Sequence, residues 1–176
     1  MASRTLSILV QNRPGVLARV AGLFARRGFN ITSLAVGETE NPDVSRMTVV
    51  LSADGRPVEQ CTKQLHKLIH VLRVEELPAG SAVEREVALI KVGAGADNRA
   101  AVLEIVEIFR AKVVDVDDAT LTVETTGSPD KVRALEALLE GHGIVELVRT
   151  GRIALARGRR GLKAPTLHPV PIDTAS

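Results

Sequence analysis

Four consecutive residues near the start of the chain, Asn12-Arg13-Pro14-Gly15, have the types needed to hold an anion. They follow an alternating apolar run, Thr5 to Val10, that predicts a β-strand, and they precede apolar residues at helical spacing. A helix start has unpaired amide N–H groups and the positive end of the helix dipole, so a carboxylate can dock there. Gly15 has no side chain to block the approach, and the amide of Asn12 can meet an amino or a carboxylate group.

The same four residues have a plainer interpretation as a helix start with nothing bound. Asn12 can cap the helix and Pro14 fits a first helical turn. Caps of this kind are common, so spacing alone favours the plainer interpretation. Asn30, which follows Gly28 at the other end of the predicted helix, is by itself a cap or turn residue. A ligand role for Asn30 or Gly37 needs more than periodicity supplies.

Two further patterns could indicate other ligands. The run from Val92 to Asp97 lies between a predicted strand and a predicted helix, as a dinucleotide loop does, but Asn98 stands where the third glycine belongs. His66 and His70 are four residues apart on a predicted helix, a spacing at which two imidazoles can share a metal, but no third ligand is evident. We therefore interpret the histidines as solvent-facing and Cys61, on the same helix, as a small core residue.

Catalytic patterns are missing from the sequence. It contains no nucleophile with a nearby base, no paired carboxylate motif and no Walker-type loop. Asp115, Asp117 and Asp118 bracket a predicted hairpin turn, where aspartate is expected for local hydrogen bonds. The sequence therefore favours a binding protein over an enzyme.

The elements that position these residues repeat once along the chain. The first half predicts, in order, a strand, a helix over Val16 to Phe24, two strands around a polar connection, a helix over Val58 to Ile69 and a strand over Val71 to Val74. The second half predicts strands at 86–92, 112–116, 120–124 and 144–148 and helices at 98–110 and 129–139. The order βαββαβ is that of a ferredoxin-like fold.

We therefore predict an α+β protein with two tandem ferredoxin-like βαββαβ domains, residues 4–78 and 83–160. Each would have an open sheet face and edges able to pair with a second copy. Basic residues without an acidic one precede Asp173, and prolines are interspersed at 165, 169 and 171, so we expect a mobile tail over residues 161–176.

Composition limits the class of protein. The chain has 176 residues, 45% apolar and 25% charged, which is typical of soluble globular proteins. It lacks a signal-peptide core and any run of the roughly 18 apolar residues that a membrane-spanning helix needs. Its single cysteine, Cys61, excludes a disulfide framework, so we expect a reducing compartment and a cytoplasmic location.

Nucleic acid is the rival partner for the basic end of the chain, where arginine and lysine recur without an acidic residue from Arg149 to Asp173. The net charge is only +2, and the aromatic residues are Phe24, Phe29 and Phe109, all at apolar helix or strand positions. They do not form a base-stacking platform. We favour docking onto a protein partner over nucleic acid.

Longer stretches resemble a known family. Leu6 to Val20 and Gly22 to Ile31 resemble the ACT domain of acetohydroxyacid synthase (acetolactate synthase) small subunits. Shorter motifs of the same family are Ser45 to Thr48, Lys63 to Leu68, Val71 to Val74, Val83 to Glu86 and Ile108 to Arg110. The likeness covers about residues 4 to 160, and it identifies the first domain as an ACT domain.

The resemblance implies a homodimer whose first domains pair side by side, with valine or another branched-chain amino acid bound at the interface. The matching ligand positions are Asn12, Gly15, Asn30 and, less securely, Gly37. It also implies a partner, the large catalytic subunit that carries thiamin diphosphate, FAD and magnesium, and no cofactor in this chain. The small subunit would activate that partner and confer feedback inhibition. The alternative is a free-standing ACT amino-acid sensor that controls a different client protein. The family motifs in the second half of the chain argue against this alternative.

Overall fold

The computed structural model describes residues 3–52, 58–159 and 161–165. The chain divides into two compact units, residues 1–81 with 156–176 and residues 82–155. In the described part, each unit has one antiparallel sheet and two helices. The predicted α+β fold with two βαββαβ repeats is confirmed. The second unit ends at residue 155, because the residues after it group with the first unit.

The first unit begins with a long apolar strand and alternates strands with helices. Its strands are β1 (Ser3–Gln11), β2 (Ile31–Glu38), β3 (Val44–Ser52) and β4 (Val71–Leu77), and its helices are α1 (Val16–Arg26) and α2 (Val58–Leu65). The strand order is β2-β3-β1-β4, so β2 is an edge strand. Alternate residues Leu6, Ile8 and Val10 of β1 meet Phe24 of α1 in the core. Gly28, at a φ of 68°, ends the first helix in the left-handed conformation that the sequence predicts.

The second unit repeats this arrangement with one added strand. Its strands are β5 (Ala82–Gly93), β6 (Lys112–Val116), β7 (Thr120–Gly127), β8 (Ile144–Arg149) and β9 (Ile153–Ala156), and its helices are α3 (Arg99–Ile108) and α4 (Pro129–Glu140). The order is β6-β7-β5-β8, and β9 also pairs with β5. The sequence did not predict β9. It forms because β5 is 12 residues long while β8 pairs only with its residues 88–92, which leaves the first half of β5 available.

The second helix is shorter than predicted. It ends at Leu65 and not at Ile69, because Lys67 and Leu68 donate backbone hydrogen bonds to the carbonyls three residues before them, and the chain tightens into turns. Leu68 still packs against the core, whereas Ile69 is exposed. His66 and His70 are therefore not on a helix, and the helical spacing predicted for them is wrong.

The sheet face of the first unit that points away from its helices is buried at its centre, so the predicted open face is wrong for this unit. Pairs across β1 and β3, Ser7 with Thr48 and Leu9 with Arg46, lie on this face. Ser7 is 1% exposed and Leu9 is fully buried. Residues 161–165 contact the face, since Arg46 donates to the Leu162 carbonyl. Of the tail that we expected to be mobile, residues 166–176 lie outside the described residues.

None of the helices in the described ranges has the length and the apolar run that a membrane crossing requires.

Cys61 is a core residue, as predicted. It is 1% exposed, and burial raises the pKa of its thiol from 9.0 to about 11. Because the thiolate is the reactive form, we expect no reaction of the folded protein with an aromatic disulfide reagent at about pH 8, and a fast reaction in denaturant.

The raised pKa of Cys61 also makes stability depend on pH. As the pH rises, the unfolded chain loses the thiol proton before the folded chain does, so the free energy of unfolding should fall between about pH 9 and pH 11. A fall of the same size in Cys61→Ala would assign the effect to another group.

Candidate functional site

The turn between β1 and α1 leaves an open helix start. The helix begins at Val16, and Gly15 is its N-cap residue with a φ of 81° and a ψ of −9°. No side chain caps this end, and a Cβ added to Gly15 would have no heavy atom within 4 Å. The Val16 N–H donates to the Arg13 carbonyl at 3.4 Å, so the amides of Leu17 and Ala18 are the first-turn donors left for a ligand, and the exposed Arg13 and Arg19 add positive charge nearby.

Asn12 does not cap the helix, so that prediction is wrong. Pro14 lies before the N-cap residue Gly15 and is therefore not in the first helical turn either. Asn12 stands three residues before the N-cap, and its side chain turns toward the connection between β2 and β3. Its Nδ2 donates to the Pro42 carbonyl at 2.9 Å and to Glu38 Oε1 at 3.2 Å. Its backbone N–H donates to the Asp43 carbonyl at 2.7 Å. These bonds fix the Asn12 side chain three residues before Gly15, and they leave its amide oxygen Oδ1 available to accept a hydrogen bond from a ligand.

Gly37 lies near the end of the edge strand β2. It pairs with Arg46 on β3, and it is exposed, with no heavy atom within 4 Å of an added Cβ. The next residue, Glu38, is the one that contacts Asn12. Asn12, Gly15 and Gly37 are therefore brought to the same end of the first unit.

Asn30 lies at the opposite end. Helix α1 separates it from Gly15, and strand β2 separates it from Gly37. At about 3.3 Å per residue, the seven steps from Asn30 to Gly37 span roughly 23 Å. Its side chain is exposed, while its backbone carbonyl accepts a hydrogen bond from the Ser52 N–H at 3.1 Å. A single copy of the chain does not bring Asn30 together with the other three predicted residues.

The glycine-containing turn after β5 is closed by an internal cation. The guanidinium of Arg99 donates to the carbonyls of Ala94, Asp117 and Asp118, at 2.5 to 3.0 Å. Asn98, at the missing third glycine, donates to the Gly93 carbonyl at 3.1 Å. Carbonyl oxygens that converge on an arginine do not make a cradle for phosphate, which needs N–H donors. The geometry agrees with rejecting a dinucleotide loop here.

The histidines and aspartates have local partners. His70 Nδ1 lies 2.9 Å from Gln11 Oε1, and His66 is exposed in a turn. Asp117 accepts a hydrogen bond from the Ala119 N–H at 3.3 Å, as expected of aspartate in a hairpin turn. Across the described ranges, no three His, Cys, Asp or Glu side chains are grouped so that they could hold a metal ion.

Two family models together match most of the chain. Residues 6–73 match the model of the AHAS small subunit-like ACT domain, and residues 85–158 match the model of the small subunit of acetolactate synthase. An acetolactate synthase small subunit from Mycolicibacterium smegmatis is 54% identical over 162 residues, which are 92% of this chain and 95% of that protein. The chain belongs to the acetolactate synthase small-subunit family.

Members of this small-subunit family from distant organisms are similar along nearly their whole length. A probable acetolactate synthase small subunit from Archaeoglobus fulgidus is 52% identical over 156 residues, 89% of this chain and 98% of that one. The crystal structure of the acetolactate synthase small subunit from Thermotoga maritima has a TM-score of 0.83 and 41% identity, covering 91% of this chain and 100% of that chain. The fold and the family that the sequence motifs indicated are both confirmed.

Sequence reasoning missed the residues that hold Asn12 in place. Glu38 is the last residue of β2 and Pro42 lies in the polar connection after it, and only the hairpin register brings them near the first turn. They are 26 and 30 residues from Asn12 along the chain, which leaves no local signal.

Proposed function

We propose that this chain is the non-catalytic regulatory subunit of an acetolactate synthase, and that it binds valine or another branched-chain amino acid at the β1–α1 turn. The observation that supports the proposal best is the open left-handed Gly15 at a helix start, with Asn12 held beside it, in a chain of the small-subunit family. The proposal includes a cytoplasmic location, as the single cysteine suggested.

The turn offers a partner for each part of an amino acid. The effector carboxylate would accept hydrogen bonds from the first-turn amides of α1, where the helix dipole favours negative charge. The ammonium group would donate to Asn12 Oδ1 without disturbing the bonds that Nδ2 makes. Leu17 in the first turn and Val36, one residue before Gly37, are 42% and 45% exposed and offer aliphatic contacts to a branched side chain.

A second copy of the chain would complete the site. Strand β2 is an edge strand of the first sheet, and an edge can pair with another chain. If two β2 strands pair antiparallel about a two-fold axis, the end of one strand lies against the start of the other. Asn30 of the partner subunit would then lie near Gly37, Asn12 and Gly15 of the first copy. The proposed homodimer thus accounts for an Asn30 that is remote within one copy.

The partner in the proposal is the catalytic large subunit, which carries thiamin diphosphate, FAD and magnesium, whereas this chain binds none of them. The small subunit would raise the activity of that partner and make it sensitive to the effector. Such control requires a coupling free energy between the two sites, typically ~1–3 kcal/mol. The effector must therefore favour one arrangement of the dimer, and the large subunit must bind the two arrangements unequally.

The first test is calorimetry of valine binding to the purified chain and to Asn30→Ala. We expect saturable binding to the wild-type protein and an affinity at least about tenfold lower in the variant, since a hydrogen bond to a charged group contributes ~1.5–3 kcal/mol. The substitution keeps the backbone carbonyl that binds Ser52, so the fold should persist. Gln60→Ala, which removes an exposed amide from α2, is the control and should bind normally. A folded wild-type dimer that binds no branched-chain amino acid would refute the effector site.

A second test adds the matching large subunit and follows acetolactate formation. We expect the chain to raise the rate and valine to lower it again, and we expect Asn30→Ala to keep the activation but lose the inhibition by valine. Activation that is absent with the folded wild-type chain would contradict the regulatory role, whatever the outcome of calorimetry.

A further inference from the structure

We propose that residues 161–165 form a C-terminal strap, docked on the sheet of the first unit, and that effector binding tightens this docking. The inference rests on the proposed effector site, and it concerns how effector binding changes a segment outside that site. Two side-chain anchors, Arg46 and Asn41, hold the strap. Arg46 pairs with Gly37 of the candidate site, and Asn41 is linked to Asn12 through Asp43.

The first anchor is Arg46 on β3. Its Nη2 donates to the Leu162 carbonyl at 2.6 Å, and its Nη1 donates to Ser7 Oγ on β1 at 2.9 Å. A short charge-assisted bond to a backbone carbonyl is among the stronger kinds of hydrogen bond. Arg46 is the partner of Gly37 in the register of β2 and β3. The guanidinium therefore joins the strap to two strands, and its backbone lies next to the edge where the effector is proposed to bind.

The second anchor is Asn41 in the connection between β2 and β3. Its Nδ2 donates to the Pro165 carbonyl at 3.3 Å, while its Oδ1 accepts the Asp43 N–H at 3.0 Å. Asp43 and Pro42 also accept the hydrogen bonds of Asn12. The residue proposed to hold the effector ammonium and the residue that holds the strap are thus linked through a few residues of one short connection.

These hydrogen bonds predict that effector binding stabilises the docked strap. A ligand on Asn12 Oδ1 restrains Asn12, whose three hydrogen bonds then restrain the connection at Glu38, Pro42 and Asp43. A restrained connection fixes the Asn41 side chain, so the strap is released less often. Because coupling is reciprocal, loss of the strap must weaken effector binding by the same factor.

The direct test is limited digestion of the full-length chain with trypsin, with and without saturating valine, followed by mass spectrometry. Lys163 is exposed in the strap, and cleavage after it requires the strap to leave the sheet. We expect this cleavage to be at least about fivefold slower with valine, the lower end of typical coupling factors. Cleavage after Lys112, in β6 of the other unit, is the internal reference and should not change.

The reciprocal test uses Asn41→Asp, which removes the donor to Pro165 but keeps an acceptor for the Asp43 N–H. We expect calorimetry to show at least about fivefold weaker valine binding. Asn98→Asp is the matched control, because it removes the same kind of bond, to the Gly93 carbonyl, in the second unit. A chain ended at residue 160 removes the whole strap and should reproduce the loss even if Asn41→Asp folds poorly.

The outcomes separate this inference from the proposed function. Slower cleavage after Lys163 with valine, together with weaker binding when an anchor or the strap is removed, supports the coupling. Normal valine binding to the wild type, to Asn41→Asp and to the shortened chain overturns the strap and leaves the effector site intact. A folded wild-type chain that binds no effector overturns both.

Discussion

Gly15→Asp is expected to lower the affinity for valine by at least about a hundredfold while the chain still folds. The substitution places a fixed carboxylate at the helix start where the effector carboxylate is proposed to bind. Two unit charges about 4 Å apart repel by ~4 kcal/mol at an effective dielectric constant of about 20, which corresponds to roughly a thousandfold in affinity. Screening by salt reduces this figure. Calorimetry in a buffer of low ionic strength measures the loss.

Two control variants separate charge from backbone strain. Gly15→Asn has almost the same shape without the charge and should lose much less affinity. Gly80→Asp has the same strain, because Gly80 has a φ of 80° and nothing within 4 Å of an added Cβ, but it lies in the turn after β4. Asparagine and aspartate adopt this left-handed conformation more readily than other residues with side chains. Equal losses in Gly15→Asp and Gly15→Asn would mean that the helix start does not bind an anion.

Periodicity in the sequence was sufficient to predict the order of strands and helices in the two repeats. Leu6, Ile8 and Val10 alternate and face the core, and the helical spacing of Val20 and Phe24 buries both side chains. Such patterns are local, because a strand or helix that buries one face must repeat apolar residues at its own period. They therefore predict elements wherever one face is buried.

The same reasoning failed where distant residues decided the outcome. Leu68 and Ile69 have helical spacing, but the chain leaves the helix at Leu65 to reach the next strand. Asn12 has the type of a cap residue, but the carbonyl of Pro42 binds its amide instead. Likewise, nothing near Ser7 in the sequence indicates that its face of the sheet is covered. These are tertiary contacts, and only the assembled sheet brings the partners together.

The two repeats differ in the turn that would hold a ligand. In the first unit, the turn from β1 to α1 is uncapped and open at Gly15. In the second unit, α3 also begins without a side-chain cap, but its N-cap residue is Asn98, and the guanidinium of Arg99, the first helical residue, donates to the surrounding carbonyls. The first helix start is therefore open at a glycine, whereas the second carries the side chains of Asn98 and Arg99. This difference predicts one effector position per chain and assigns a structural role to the second repeat.

That structural role depends on the core under α4, and Leu135→Ala should lower the free energy of unfolding of the second unit by ~2–5 kcal/mol. Leu135 is fully buried against the sheet, so its removal leaves a cavity in addition to the lost burial. Leu138, on the same helix, is 51% exposed, and Leu138→Ala should cost less than about 1 kcal/mol, since the shorter side chain also favours the helix. Urea unfolding followed by far-ultraviolet circular dichroism measures both variants. Similar losses in the two would contradict the burial assigned to α4, whereas a large loss only in Leu135→Ala would place the stability of the second repeat in its core.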